Sequence, residues 1–89
     1  MNIDVYDTYA RTVEGDLLHF DVLVKQGAGK QALRYAEEWL KGIRREANNI
    51  NQENIRFCHT ETATPEIQRD IDVQGFFIIQ MEGCPSPIG

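Results

Sequence analysis

The chain has 89 residues, of which 42% are hydrophobic and 26% charged, as in ordinary soluble globular proteins and unlike disordered or collagen-like chains. This length supports one hydrophobic core and excludes two independent domains, so we expect a single domain over residues 1–84 and an irregular tail over residues 85–89. Fourteen acidic residues against nine Lys and Arg give a net charge of −5, which opposes approach to a polyphosphate backbone and argues against a nucleic-acid partner.

Targeting and membrane segments are not evident in the sequence. The chain begins Met1-Asn2-Ile3-Asp4 without basic residues, and its longest strictly apolar run is residues 76–79. We therefore expect no signal peptide, no membrane span and a cytoplasmic location. The two cysteines, Cys58 and Cys84, are then expected to be reduced thiols.

The first half of the chain predicts a β-hairpin followed by a helix. Residues 3–9 and 17–25 alternate apolar and polar side chains around the turn-like Glu14-Gly15-Asp16. The second of these strands should direct four residues to the core: Leu18, Phe20, Val22 and Val24. Residues 30–47 then place their apolar side chains within an arc of about 120°, which predicts an amphipathic helix. Gly42 lies beside this stripe and predicts an early helix end or a close contact.

The second half predicts a strand, a short helix and a last strand. Residues 54–60 form the third strand, with Ile55, Phe57 and His59 on one side and Arg56 and Cys58 on the other. A helix should begin at Thr64-Pro65-Glu66 and end at Gly75. The nearly continuous apolar run of residues 76–81 predicts a strand that is central or buried on both faces.

This order, β-β-α-β-α-β, predicts an α+β fold. The simplest packing is a two-layer sandwich, in which a mixed four-stranded sheet carries two helices on one face. The hairpin would be antiparallel, and a right-handed crossover would make the last two strands parallel neighbours.

Two motifs suggest ligand sites. Gly27-Ala28-Gly29-Lys30 lies between a strand and a helix, where a phosphate loop would lie, but Val24 and Gln31 replace the glycine and hydroxyl residue that such a loop needs. We interpret it as an ordinary turn and expect no cofactor. Two thiols and two imidazoles form the ligand set of a zinc site: His19, Cys58, His59 and Cys84. Adjacent residues of a regular strand point to opposite faces, so we assign no metal to this set and favour half-buried packing roles.

Acid–base or thiol chemistry is the other candidate. Asp7 and Asp21 lie on the two hairpin strands, and either carboxyl group could transfer protons if partly buried. Cys58 could form a thiolate beside His59 or Arg56, although no cysteine-enzyme signature surrounds it. The alternative interpretation is that the two carboxylates are simply solvated and that the thiol is unreactive.

Four strings of the sequence resemble a short bacterial family, domain of unknown function 2024. They are Val5-Tyr6-Asp7-Thr8-Tyr9, His19-Phe20-Asp21-Val22-Leu23-Val24, Arg56-Phe57-Cys58-His59-Thr60-Glu61 and Gly75-Phe76-Phe77-Ile78-Ile79-Gln80-Met81-Glu82-Gly83-Cys84. The resemblance extends over residues 3–84 and implies a compact single-domain bacterial protein, without implying a substrate. It draws attention to the polar residues within the strings: His19, Asp21, Cys58, His59, Glu61, Glu82 and Cys84.

Two functional hypotheses follow. The favoured one is a non-catalytic binding or regulatory module without an obligatory cofactor, a monomer or weak homo-oligomer with a protein or small-molecule partner. The alternative is a thiol or metal site built from Cys58, His59 and Cys84, with His19 as a further ligand, in a small enzyme or a metal-binding protein.

Overall fold

The computed structural model describes residues 1–45 and 50–81. The elements are β1 (Asn2–Arg11), β2 (Leu17–Lys25), α1 (Ala32–Gly42), β3 (Ile55–Thr62), α2 (Pro65–Gln74) and β4 (Phe76–Gln80). The predicted α+β class, four-stranded sheet and order of elements are confirmed. The predicted tail over residues 85–89 and the candidates Glu82 and Cys84 lie outside the described residues. The helix predicted over residues 30–47 is too long, because α1 ends at Gly42 and residues 43–45 are not helical.

The sheet has the strand order β3-β1-β2-β4, and all neighbouring strands are antiparallel. The prediction of a mixed sheet with the last two strands as parallel neighbours is therefore wrong. The hairpin β1–β2 occupies the centre, and β3 and β4 each pair with one of its two free edges. β4 is apolar because helices partly cover both of its faces, and not because it is central.

The two helices pack on opposite faces of the sheet, so the prediction of a two-layer sandwich with both helices on one face is also wrong. The four residues of β2 predicted to face the core pack against α1, and all are fully buried: Leu18, Phe20, Val22 and Val24. The opposite side, which we call the α2 face, packs Ile3, Val5 and Leu23 against Ile71 of α2. Leu23 alternates with Val22 and Val24, so burying all three side chains requires cover on both faces.

A β-bulge in β3 changes the direction of its side chains. Val5 pairs with His59 and Tyr6 pairs with Phe57, so Cys58 is the extra residue. His59 consequently lies on the α2 face beside Val5, and not on the side of Phe57 as strict alternation predicts.

The helix ends follow the predicted capping pattern in α2. The Ile67 amide donates to the Thr64 hydroxyl, Pro65 is in the first turn, and Gly75 ends the helix with a φ of 97°. Among the described residues, no helix is long and apolar enough to cross a membrane.

Candidate functional site

Polar side chains occupy the part of the α2 face that α2 does not cover. In the antiparallel register of β1 and β2, Asp7 lies directly opposite Asp21, and Tyr9 lies opposite His19 in the next row of the same face. The hairpin therefore places two carboxylates and an imidazole on its two central strands, where backbone pairing on both sides holds them.

Asp7, His19 and Asp21 form a compact cluster. One donor atom from each residue lies within 4.8 Å of the other two, and all three side chains are half-buried. His19 Nε2 is in direct contact with Asp7 Oδ1, as an ion pair when the imidazole is protonated. The Tyr9 ring stacks on the His19 ring with centroids 4.2 Å apart and an angle of 8° between the planes. The imidazole is thus oriented from two directions.

The electrostatics of the cluster favour a proton on one carboxyl group. Burial, followed by a hydrogen bond with Asp7 and the charge of Asp7, raises the pKa of Asp21. His19 and His59 act in the opposite direction without cancelling these effects. Asp21 therefore retains its proton to a higher pH than an isolated aspartate would.

This donor set can bind a divalent metal ion. Two carboxylate oxygens and an imidazole nitrogen are ligands that zinc, iron and manganese accept in proteins, and three protein ligands leave further positions open. A cleft of about 390 Å³ adjoins Asp7 and Tyr9 and is also lined by Glu53, Asn54 and Arg56. A metal ion here would be accessible from solvent.

The predicted thiol and imidazole set is only partly brought together. His19 belongs to the cluster, whereas Cys58 is exposed and its Sγ lies 3.2 Å from Nδ1 of His59. His59 Nε2 lies 3.7 Å from a carboxylate oxygen of Glu61, and both side chains are about half exposed. The bulge allows the adjacent side chains of Cys58 and His59 to touch. Both side chains are exposed, so the prediction that they have half-buried packing roles is wrong.

In the glycine turn before α1, side chains of β1 contact the backbone of Gly27 and Gly29. The Gly27 amide donates to Asp4 Oδ2 at 3.1 Å, and the Tyr6 hydroxyl lies against Gly29. Asp4 Oδ1 accepts a hydrogen bond from the Thr60 hydroxyl at 2.7 Å. These contacts tie the turn to β1 and β3, which is consistent with an ordinary structural turn.

The fold and the cluster together define a small α+β protein with a carboxylate–imidazole site on an incompletely covered sheet. The sequence matches the family Domain of unknown function (DUF2024) over residues 1–81, and the chain belongs to that family. It is similar to protein NE1680 from Nitrosomonas europaea, whose NMR structure matches with 41% identity and a TM-score of 0.83. The match covers 96% of this chain and 100% of that one. A comparison with curated proteins finds no match.

Proposed function

We propose that this protein is a metal-binding module that binds one divalent transition-metal ion through Asp7, His19 and Asp21. The observation that carries the proposal is the convergence of these three donors within 4.8 Å of one another. It supports the metal-binding branch of the alternative hypothesis, with ligands from β1 and β2 in place of the cysteines.

The register of the hairpin supports a cation at this position. Like charges directly opposite each other destabilise a sheet, yet Asp7 and Asp21 are opposite and half-buried. A bound cation would neutralise the charge of the pair and remove the repulsion between the two carboxylates. Because both residues are on central strands, the carboxylates would need little rearrangement to bind it.

The ligand types favour transition metals over calcium and magnesium. Calcium takes six to eight oxygen ligands, and magnesium keeps several waters in a strict octahedral shell, whereas imidazole suits zinc, iron, copper and nickel. The stacked Tyr9 ring would hold His19 in its binding orientation, as a supporting residue around a metal site does. We therefore expect zinc to bind more tightly than manganese, and magnesium not to compete.

Calorimetric titration with Zn²⁺, and absorption spectroscopy with Co²⁺ as a coloured substitute, test the proposal. We expect one ion per chain, and at least a roughly tenfold loss of affinity in Asp7→Asn, His19→Gln or Asp21→Asn, since even supporting residues contribute about 10–100-fold. Asp72→Asn is the matched control, because it removes an exposed carboxylate of α2 and keeps all three proposed ligands, so it should leave zinc affinity unchanged.

Cysteine ligation must be separated from the proposed site. The variant Cys58→Ser with Cys84→Ser should keep its zinc affinity, and the Co²⁺ spectrum should lack the intense band of thiolate coordination. Zinc binding that is lost in this double variant and kept in His19→Gln would refute the proposal and return the metal to the cysteines.

A further inference from the structure

The outer edge of β4 offers backbone groups for pairing. Met81 donates its amide to His19 of β2, and in an antiparallel ladder hydrogen-bonded residues alternate with residues that face away. Phe76, Ile78 and Gln80 therefore direct their amide and carbonyl groups outward. Gln74 Nε2 donates to the Phe76 carbonyl at 2.9 Å, which leaves the amides and carbonyls of Ile78 and Gln80 without a strand partner in the described part of the chain.

A groove of about 430 Å³ runs beside this edge, between α1 and α2. Trp39 of α1 and Phe77 and Ile78 of β4 give it apolar walls. The charged residues that line it are Glu38 from α1 and Asp70 from α2, so the groove has carboxylates on both helices. Neither carboxylate has an ion-pair partner within the described residues.

We propose that this groove binds an extended basic and apolar peptide segment, which pairs with β4 as a fifth strand. Backbone pairing with Ile78 and Gln80 supplies most of the hydrogen bonds, as in other sheets that accept a strand at an open edge. Alternate side chains of such a strand point to opposite faces, so one set reaches α1 and the other reaches α2. Lys or Arg side chains among them meet Glu38 and Asp70.

A second copy of this chain fits the groove less well. Each copy carries a net charge of −5, and pairing two β4 edges would bring the carboxylates of both grooves toward one another. A basic segment removes that repulsion and gives Glu38 and Asp70 ion-pair partners.

Fluorescence anisotropy with a labelled, capped Lys-Lys-Val-Val-Lys-Lys peptide, which as a strand presents lysine to both helices, tests the inference. We expect saturable binding that weakens as salt is raised, and no binding of the matching Glu-Val peptide. Glu38→Gln with Asp70→Asn should weaken binding at least about tenfold, a loss expected when close charge pairs are removed. Glu37→Gln with Asp72→Asn makes the same change of charge on exposed positions of the same helices and should leave affinity within about twofold.

Amide hydrogen exchange locates the peptide. Saturating peptide should slow exchange at Ile78 and Gln80, while Phe77 and Ile79, whose amides already face β2, should change little. No saturable binding up to about 1 mM, or equal loss of affinity in both double variants, overturns the proposal. Protection of Ile78 and Gln80 that rises with protein concentration without peptide, together with a doubled mass in sedimentation, also overturns it, because the occupant is then a second copy.

Discussion

Replacing Asp21 by Asn should stabilise the metal-free protein and weaken its metal binding by at least about tenfold. Asn has nearly the same shape as Asp and no charge, so the change removes the repulsion between residues 7 and 21 while keeping the packing. The raised pKa of Asp21 shows that burial and Asp7 outweigh the attraction from His19 and His59. If Asp21 served only to stabilise the fold, its replacement by Asn would lower the free energy of unfolding.

The expected gain follows from the cross-strand geometry. Directly opposed side-chain pairs in antiparallel sheets contribute roughly 0.2–1 kcal/mol, and Asp7 and Asp21 are such a pair. We expect Asp21→Asn to raise the free energy of unfolding by about 0.5–1 kcal/mol at pH 7 and low salt. With a slope of about 1 kcal/mol per molar urea for a small domain, the unfolding midpoint should rise by roughly 0.5–1 M.

The gain should depend on pH in a defined direction. A carboxyl group whose pKa is higher in the folded state binds its proton more tightly there, so wild-type stability is lost as pH rises through that folded-state pKa. Below the ordinary aspartate pKa of about 3.9, Asp21 is protonated in both states and the advantage of the variant should disappear.

Urea unfolding followed by Trp39 fluorescence at pH 3 and pH 7 measures both quantities. Asp7→Asn is the matched comparison, because it relieves the same repulsion and also removes the partner of His19, so its gain should be smaller. An unchanged or lower midpoint for Asp21→Asn at pH 7, or an equal gain at both pH values, would refute the electrostatic reasoning.

Four further outcomes are expected. Zinc affinity measured by calorimetry should rise with pH until Asp21 is deprotonated, because the raised pKa of Asp21 makes the metal compete with a proton for this carboxylate. Gly75→Ala should lower the free energy of unfolding in urea by about 2 kcal/mol, because φ is 97° and a Cβ would lie 2.5 Å from the Tyr35 hydroxyl. Gly42 has open space around it, so Gly42→Ala should raise the free energy of unfolding by up to about 1 kcal/mol. Cys58→Ala should change stability by less than about 0.5 kcal/mol, because the side chain is exposed. Labelled DNA or RNA should show no anisotropy change with up to about 10 μM protein at physiological salt, because the net charge is −5.

The local elements could be predicted from the sequence because their signals are local. Alternation identified the buried side of β2, and Thr64, Pro65 and Gly75 marked both ends of α2. α1 ends at Gly42, where glycine predicted an early end or a close contact, so the helix to Ala47 that the apolar stripe predicted is too long.

The arrangement of these elements depends on long-range packing and was predicted wrongly. The alternation in β2 directs only Leu18, Phe20, Val22 and Val24 to the core, whereas Leu23 on the other side is also fully buried, beneath α2. An apolar residue on that side already called for cover on both faces, and recognising this would have separated the two helices. The bulge at Cys58 has no signal in the sequence, since it only appears when the register of β1 and β3 is compared on both sides of Tyr6.

The members of the metal cluster were all candidates, but their convergence was missed. In the sequence, Asp7 and Asp21 indicate two separate acids, and His19 belongs to a ligand set with the cysteines. Alternation places His19 and Asp21 on one face of β2, and the hairpin register then brings Asp7 opposite Asp21. That register depends on where the chain turns, and the structure centres it near Glu14, one residue before the glycine that the sequence suggests.

The length of α2 determines where a site can form on this sheet. At about 1.5 Å per residue, the ten residues of α2 span roughly 15 Å, whereas the ten residues of β1 at about 3.3 Å each span roughly 33 Å. Even aligned with the strands, α2 covers only half of its face. The uncovered half is open to water and accommodates polar side chains, but any polar residues would be solvated there. Two opposed aspartates beside an oriented imidazole repel each other, so their placement there is better explained by a cation than by exposure to water.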